Sequence, residues 1–139
     1  MTYPLIESVG VVVFNKDKVL LVRHGKASNY SNKIYGIPAG KIEKGETAAE
    51  AASREFQEET GLISSVEGLL KLPKSYQAEI EQKDGIKIFN WYVFLCTKHE
   101  GVLKTTEETE PFWVNIKDLD NFKLLPNVKE AILAAKLIK

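Results

Sequence analysis

The stretch Gly40–Leu62, GKIEKGETAAEAASREFQEETGL, carries the strongest helix signal in the 139-residue sequence. Thr47 is a favourable N-cap residue, and Glu50 follows it three positions later, which is the pattern of a capping box. Alanines favour a helix over the next turns, and Gly61 stands where a left-handed stop is expected. We therefore predict a helix over 47–60. At about 100° per residue, the predicted core-facing residues are Ala49, Ala52, Phe56 and Thr60.

Three glutamates lie on one flank of this predicted helix. Glu55, Glu58 and Glu59 have the i, i+3, i+4 spacing that makes side chains neighbours on a helix surface. Most acidic clusters with this spacing are simply solvated surface. The alternative is a hard-cation site, because Mg²⁺ binds carboxylate oxygens and leaves its other positions to water and substrate phosphates. Such an ion relieves the repulsion among the acids and assists attack of water on phosphorus.

The residues around the glutamates favour the cation site. The stretch follows the pattern G-x5-E-x7-R-E-U-x-E-E-x-G-U, where U is apolar, and it resembles the Nudix box of hydrolases that act on nucleoside diphosphates linked to another moiety. Phe56 is a mild departure, at a position where Leu, Ile or Val is more common. A match at every fixed position makes the resemblance specific. The fixed positions are Gly40, Glu46, Arg54, Glu55, Glu58, Glu59 and Gly61.

The resemblance implies a bound divalent cation, Mg²⁺ or Mn²⁺. In the family, carboxylates at the positions of Glu55, Glu58 and Glu59 bind the metal and take part in catalysis. The backbone carbonyl just before the first box glycine, here Ala39, often joins them. The resemblance therefore implies a metal site made of Ala39 and the three glutamates.

The other fixed residues of the box are expected to support the site. Arg54 carries only hydrogen-bond donors and cannot bind a metal cation. We expect it to neutralise the acids and to pair with Glu46, which ties the helix to the preceding loop. Gly40 and Gly61 are expected to support the same loop–helix–loop unit.

The resemblance also implies residues that contact the substrate. Lys41 follows the first box glycine, where members often place a basic residue near phosphates. Arg23 ends a Val-Leu-Leu-Val-Arg strand, a common family pattern, and is expected to contact phosphate or base. For both, an ordinary surface charge is an equally good explanation. Asn127 falls where some MutT-type members read the base edge, but a helix N-cap explains it equally well.

Many members use one more glutamate outside the box as a general base or metal ligand. It tends to lie in a loop before a strand that contains a tryptophan. Glu107, Glu108 and Glu110 precede Trp113 in this sequence. We select Glu108 as the catalytic acid of this group, with the other two left open.

The flanking sequence predicts strands on both sides of the box and a closing helix. A polar loop is expected over 25–33, and Asp84-Gly85 is a hairpin turn signal. Strands with one helix in the middle and one at the end predict an α/β/α sandwich, a mixed β-sheet between helices, as in the Nudix fold. We expect one domain over 1–139 with its box at 40–62. The predicted strands are 5–14, 19–22, 34–38, 64–72, 75–81, 86–97 and 111–116, and the closing helix is 127–138.

Composition excludes several other classes of protein. Nineteen basic residues balance nineteen acidic ones, so a general nucleic-acid binder, which normally carries a basic excess, is not expected. No apolar run approaches the roughly 20 residues that span a bilayer. The single Cys96 is expected to be a buried hydrophobic residue, which fits a reducing compartment. We therefore expect a cytoplasmic monomer or homodimer that acts on a small-molecule nucleotide, without membrane or nucleic acid.

The substrate is less well specified than the chemistry. The chain length resembles MutT-type enzymes, which convert a (d)NTP into a (d)NMP and pyrophosphate, and this is the preferred hypothesis. Against it, Ala39 stands where MutT-type members usually have Gly, and Pro-Ala-Gly is common in ADP-ribose and nucleotide-sugar pyrophosphatases. Those enzymes usually have a longer N-terminal extension and a proline further beyond the box than Pro73. A non-catalytic nucleotide-binding Nudix module is the third alternative, although such modules often lose box acids.

Overall fold

A computed structural model describes residues 5–24 and 34–139, where many short strands accompany two α-helices. The predicted loop over 25–33 lies outside the described residues. The strands are β1 (Leu5–Val12), β2 (Phe14–Asn15), β3 (Lys18–His24), β4 (Tyr35–Gly36), β5 (Ala39–Lys41), β6 (Leu62–Ile63), β7 (Leu69–Lys71), β8 (Tyr76–Gln82), β9 (Gly85–Cys96), β10 (Glu100–Gly101) and β11 (Thr109–Asn115). The helices are α1 (Ala48–Thr60) and α2 (Val128–Ile138), and 3₁₀ turns cover Val66–Gly68 and Ile116–Asn121.

Within the described residues, the strands form two larger sheets and one small one. The first sheet has the order β5-β1-β9-β7, with β8 also paired to β9. This sheet is mixed, because β1 and β9 are parallel and the other strand pairs of the sheet are antiparallel. The second sheet is antiparallel, with the order β11-β3-β2 and β4 also on β3. Strands β6 and β10 form the small antiparallel pair.

The two helices cover opposite faces of this β layer. Successive side chains of a strand point to opposite faces. Val9 and Val11 of β1 accordingly belong to a core cluster with Phe56 of α1, whereas Val12 belongs to a second cluster with Ile132 of α2. The predicted mixed sheet between helices is confirmed.

Helix α1 has the ends that the sequence predicts. The Glu50 N–H donates to Thr47 Oγ1 at 3.1 Å, and the Thr47 N–H donates to Glu50 Oε1 at 2.8 Å, which completes the capping box. Gly61 ends the helix in the left-handed region at φ 84°. On the core face, Ala51 is fully buried and Ala49 only partly, so the buried stripe is wider than predicted.

Other boundaries depart from the prediction where tertiary contacts decide them. The predicted strand over 64–72 contains the 3₁₀ turn Val66–Gly68 instead of continuous strand. A Cβ on Gly68 would stand 2.9 Å from Ser64 Oγ, so the chain packs closely upon itself there. Ala39–Lys41, expected to be loop, pairs with β1. The predicted β8–β9 hairpin and the closing helix are confirmed.

Cys96 is buried on β9, as predicted for a small hydrophobic residue. Its thiol contacts the Lys98 carbonyl oxygen at 3.4 Å, and burial raises the pKa of the thiol above its ordinary value. A raised pKa disfavours the reactive thiolate. Within the described ranges, no helix is both long and apolar enough to cross a membrane.

Candidate active site

A cleft of about 190 Å³ lies where the last turn of α1 meets strand β5, the β8–β9 pair and the start of β11. The first half of the Nudix-like stretch contributes the backbone of its wall, and the end of the helix contributes an acid. Five residues predicted for the site line it together: Ala39, Gly40, Lys41, Glu59 and Glu108.

Glu59 is the box acid held most firmly in the cleft wall. The Ala39 N–H donates to Glu59 Oε1 at 2.7 Å. Burial, together with the nearby charges of Glu55 and Glu108, raises the pKa of Glu59 to about 8, although the Ala39 hydrogen bond acts in the opposite direction. Without a cation, the Glu59 carboxyl is therefore largely protonated at neutral pH. An acid in this state gains most from a positive charge beside it.

Glu55 is partly buried, and its position depends on Gly40. Arg54 Nη1 donates to Glu55 Oε1 at 2.7 Å, and 15% of the Glu55 side chain is exposed. Burial raises the pKa of Glu55, while Arg54 acts in the opposite direction. A Cβ on Gly40 would overlap the Glu55 carboxyl carbon. Only glycine therefore lets the loop approach this carboxylate so closely.

Glu58 is the most exposed of the three box acids. Its side chain is 57% exposed, and Arg54 Nη1 lies 3.3 Å from Glu58 Oε2. Among residues 5–24 and 34–139, no set of three or more His, Cys, Asp or Glu side chains is gathered closely enough to hold a metal ion. Instead, Arg54 engages Glu55 and Glu58, and Glu59 accepts from the Ala39 amide.

Arg54 joins the helix to the loop in front of it. Its Nε and Nη2 atoms donate to the two oxygens of Glu46 at 2.7 and 2.9 Å, a bidentate pair. Nη2 also donates to the Lys41 carbonyl at 2.9 Å. The Arg54 hydrogen bonds lower the pKa of Glu46 to about 2. The structure thus brings together the two residues that were expected to support the site.

Gly61 has both a conformational and a steric role. Its φ of 84° is in the region that favours glycine, and a Cβ there would stand 2.5 Å from the Val102 carbonyl oxygen. Its N–H donates to the Gln57 carbonyl at 2.9 Å. The segment after β10 therefore packs directly on the end of α1.

Of the three acids before Trp113, Glu108 is the one placed in the cleft wall. Its neighbour Thr109 donates through Oγ1 to the Glu59 carbonyl at 3.1 Å, which fastens the start of β11 to the end of α1. Glu107 is exposed, and Glu110 forms an ion pair with Arg23 at 3.2 Å.

Two predicted substrate contacts, Arg23 and Asn127, lie outside the residues that line the cleft. Arg23 precedes His24 on β3, so its side chain leaves the opposite face of the strand. Asn127 has a φ of 68° and precedes α2 without a side-chain capping bond; its Nδ2 donates to the Gln77 carbonyl at 3.2 Å. Asn127 thus connects the start of α2 to β8.

The cleft also contains residues that the sequence did not indicate. Phe89 and Trp91 are two positions apart on β9, so they share a face and form an aromatic wall. His24 lines the cleft, and burial lowers its pKa to about 4, so the imidazole is neutral at pH 7. The alternation of side chains along a strand was the one sequence signal for His24, because it places His24 on the opposite face of the strand from Arg23.

Comparison with known proteins identifies the family. A model of the NUDIX domain matches residues 4–135. The RNA pyrophosphohydrolase of Pelagibacter ubique (strain HTCC1062) is 32% identical over 154 residues, which covers 93% of this chain and 92% of that protein. The chain therefore belongs to the Nudix hydrolase family.

Other relatives agree on the family but carry additional sequence. The 8-oxo-dGDP phosphatase NUDT18 of Homo sapiens is 31% identical over 102 residues, 73% of this chain and 28% of its own. A relative from Caenorhabditis elegans is 40% identical over 105 residues, 73% of this chain and 26% of its own. The chain thus spans about a quarter of the length of these two relatives.

Solved structures confirm the fold. The MutT protein from Methanosarcina mazei Go1 superposes with a TM-score of 0.78 at 23% identity, covering 99% of this chain and 97% of that one. The mixed sheet with flanking helices is the Nudix fold.

Proposed function

We propose that this protein hydrolyses a phosphoanhydride bond in a nucleoside diphosphate-linked substrate, with Mg²⁺ or Mn²⁺ as the cofactor. The observation that carries the proposal is the meeting of Glu59, Glu108, Lys41 and the Ala39–Gly40 backbone in one cleft. Two acids beside a lysine and an open backbone segment suit a polyphosphate and the water that attacks it.

The donor groups fit a hard cation in two respects. Glu59 is a carboxyl whose pKa burial has raised to about 8, so it lacks a compensating positive charge. Gly40 leaves space that the Glu55 carboxylate fills. Once released by Arg54, Glu55 and Glu58 would hold the ion together with Glu59 and the Ala39 carbonyl. The bound ion would supply positive charge to the phosphate oxygens.

The remaining steps belong to side chains of this chain. A bound cation would favour the ionised form of Glu59, because a positive charge stabilises the carboxylate. Glu108 accepts the proton of the attacking water as general base. Lys41 binds phosphate oxygens at the rim, and Arg54 with Glu46 keeps the helix and loop in register. Arg23 and Asn127 are not assigned to the cleft chemistry.

The preferred substrate is a (d)NTP, cleaved to a (d)NMP and pyrophosphate. The aromatic wall of Phe89 and Trp91 suits a nucleobase, because aromatic faces stack on bases. ADP-ribose or a nucleotide sugar is the alternative suggested by Ala39. RNA is a further candidate, because the relative that matches over 92% of its own length is an RNA pyrophosphohydrolase.

We also propose a cellular location and an oligomeric state for the protein. A lone buried thiol, Cys96, fits the reducing cytoplasm, and we place the enzyme there as a monomer or homodimer. A non-catalytic binding module is disfavoured, because the three box acids and Glu108 are all present.

The test is a substrate panel with Mg²⁺: nucleoside triphosphates, ADP-ribose, nucleotide sugars, dinucleotides and 5′-triphosphorylated RNA, scored for phosphate products. Glu58→Gln and Glu108→Gln should each lower turnover at least about a hundredfold, the usual size of a general-base or metal-ligand contribution. Glu107→Gln is the matched control, since Glu107 is the exposed neighbour of Glu108. Full turnover in the presence of excess chelator would contradict the metal mechanism. Equal losses in the Glu107 and Glu108 variants would contradict the choice of base.

A further inference from the structure

A second pocket, of about 380 Å³, lies on the other side of the β3–β11 pair. His24 and Thr109 face each other across these strands and line the cleft, whereas the next pair, Arg23 and Glu110, lines the second pocket. Because successive residues of a strand point to opposite faces, the two pockets are separated by the sheet. The second pocket therefore stands apart from the box acids.

Three aromatic rings form the floor of this pocket. The ring centroids of Tyr35 and Phe122 are 5.1 Å apart at an interplanar angle of 75°, and those of Tyr35 and Phe112 are 5.8 Å apart at 78°. All three side chains are only partly buried. Edge-to-face packing fixes the rings relative to one another, so the pocket offers a planar ligand one ring face for stacking and inclined rings beside it.

Arg23 brings unused hydrogen-bonding capacity to the same pocket. Its Nε is buried and has no hydrogen-bond partner among the residues that the structure describes. Its Nη1 contacts Glu110 Oε1 at 3.2 Å, with 36% and 50% of the two side chains exposed. Such an exposed ion pair is weak, so both partners are available to a ligand. Buried donors in native proteins almost always find an acceptor.

We propose that this pocket binds the base of a guanine nucleotide, at a site distinct from the catalytic cleft. A guanine ring stacks on one of the rings of Tyr35, Phe112 and Phe122 and contacts the other two, which are inclined to it. Its O6 accepts from the Arg23 guanidinium, and its adjacent N1–H and N2–H groups donate to the two oxygens of Glu110.

Other ligand classes fit these side chains less well. A free phosphate gains nothing from three aromatic rings and is repelled by Glu110. An aliphatic ligand offers no acceptor to the Arg23 Nε–H. Adenine offers one N–H donor on the corresponding edge, so the Glu110 carboxylate gains one hydrogen bond instead of two. The proposal does not depend on the reaction in the cleft, because no box residue takes part.

The test is calorimetric titration of the metal-free protein, in chelator, with GMP, guanosine and AMP. GMP and guanosine should bind saturably and with similar affinity, and AMP at least tenfold more weakly. Arg23→Gln and Phe122→Leu should each weaken GMP binding at least tenfold, and Glu110→Gln should abolish the preference for guanine. Glu59→Gln is the matched control in the cleft and should bind GMP like the parent.

Three results would overturn the proposal. Competition of inorganic phosphate with GMP would place the phosphate, not the base, on Arg23. Loss of binding in Glu59→Gln, with normal binding in Arg23→Gln, would place the nucleotide in the cleft. Absence of saturable binding to a parent protein that melts cooperatively would remove the site altogether. Because no turnover is measured, these outcomes are independent of whether the cleft hydrolyses any substrate.

Discussion

Glu59→Gln should stabilise the metal-free protein at alkaline pH. Glutamine keeps the length of the side chain and an oxygen that accepts from the Ala39 N–H, which lies 2.7 Å from Glu59 Oε1. What the substitution removes is a carboxyl group that must be charged above its pKa. In the folded protein, burial raises that pKa from 4.5 to about 8.

The size of the effect follows from proton linkage. A raised pKa means that the folded state binds the proton more tightly than the unfolded state. The stability from this group is therefore fully present below pH 4.5 and is lost as the pH rises through 8. At about 1.4 kcal/mol for each tenfold difference in proton affinity, the full loss is about 5 kcal/mol, and about 3 kcal/mol of it is reached by pH 7. These are upper values, because Glu59 is partly exposed.

Urea unfolding in chelator measures the difference, with the fluorescence of the buried Trp91 as the signal. The parent and Glu59→Gln should differ by less than about 1 kcal/mol at pH 5, and the variant should be more stable by about 3 kcal/mol at pH 7 and more at pH 9. Added Mg²⁺ should shrink or reverse the difference, because the cation stabilises only the carboxylate. Glu58→Gln, one position away and exposed, controls for removal of a box charge.

A difference that is the same at pH 5 and pH 9 would refute this reasoning. It would show that Glu59 is ionised in the folded metal-free protein and that the substitution acts through packing. Loss of stability in Glu59→Gln at pH 9 would refute it more directly, because the carboxylate would then be a favourable charge without a metal.

Three further predictions concern Arg54 and two residues that line the cleft, Gly40 and His24. Arg54→Ala should lower both the melting temperature and turnover, and high Mg²⁺ should partly restore its stability. Arg54→Lys should fall between the parent and Arg54→Ala, because it restores the charge without the bidentate geometry. An Arg54→Ala variant that melts like the parent without metal but has no turnover would instead assign Arg54 to the substrate. Gly40→Ala should raise the Mg²⁺ concentration needed for half-maximal turnover at least tenfold, because the new methyl overlaps the Glu55 carboxylate, and titration of activity with Mg²⁺ checks this. Burial lowers the pKa of His24 from 6.5 to about 4. The stability that the neutral imidazole contributes to the folded protein is therefore present above pH 6.5 and is lost as the pH falls through 4. Between pH 7 and pH 4, the free energy of unfolding of the parent should therefore fall by about 3 kcal/mol more than that of His24→Gln, as measured by urea unfolding.

The sequence predicted α1 well because its signals are local. The capping box of Thr47 and Glu50 and the stop at Gly61 involve residues within a few positions of one another, and the structure has all three. The clustering of acids on one flank follows from the same helical period. Where neighbouring residues determine the structure, neighbouring residues suffice to predict it.

The rest of the fold and of the candidate site depends on contacts between residues that are far apart in the sequence. Ala39–Lys41 is a strand because β1 lies beside it. Trp91 was assigned to the predicted strand 86–97, and that assignment gave no indication of which face of the strand borders a cleft. Arg23 and Asn127 were assigned from their positions along the chain. The alternation of side chains along β3 places Arg23 on the face away from the cleft, and the Asn127 side chain donates to the Gln77 carbonyl.

The hydrogen bonds of Arg54 divide between two groups of partners. Nε and Nη2 bind the loop, through both oxygens of Glu46 and the Lys41 carbonyl. Nη1 contacts the box acids, at 2.7 Å from Glu55 and 3.3 Å from Glu58. If Glu55 and Glu58 turned toward a bound cation, they would give up only their contacts with Nη1, and the bidentate pair with Glu46 would remain. Arg54 would therefore keep the helix anchored to the loop with or without the cation.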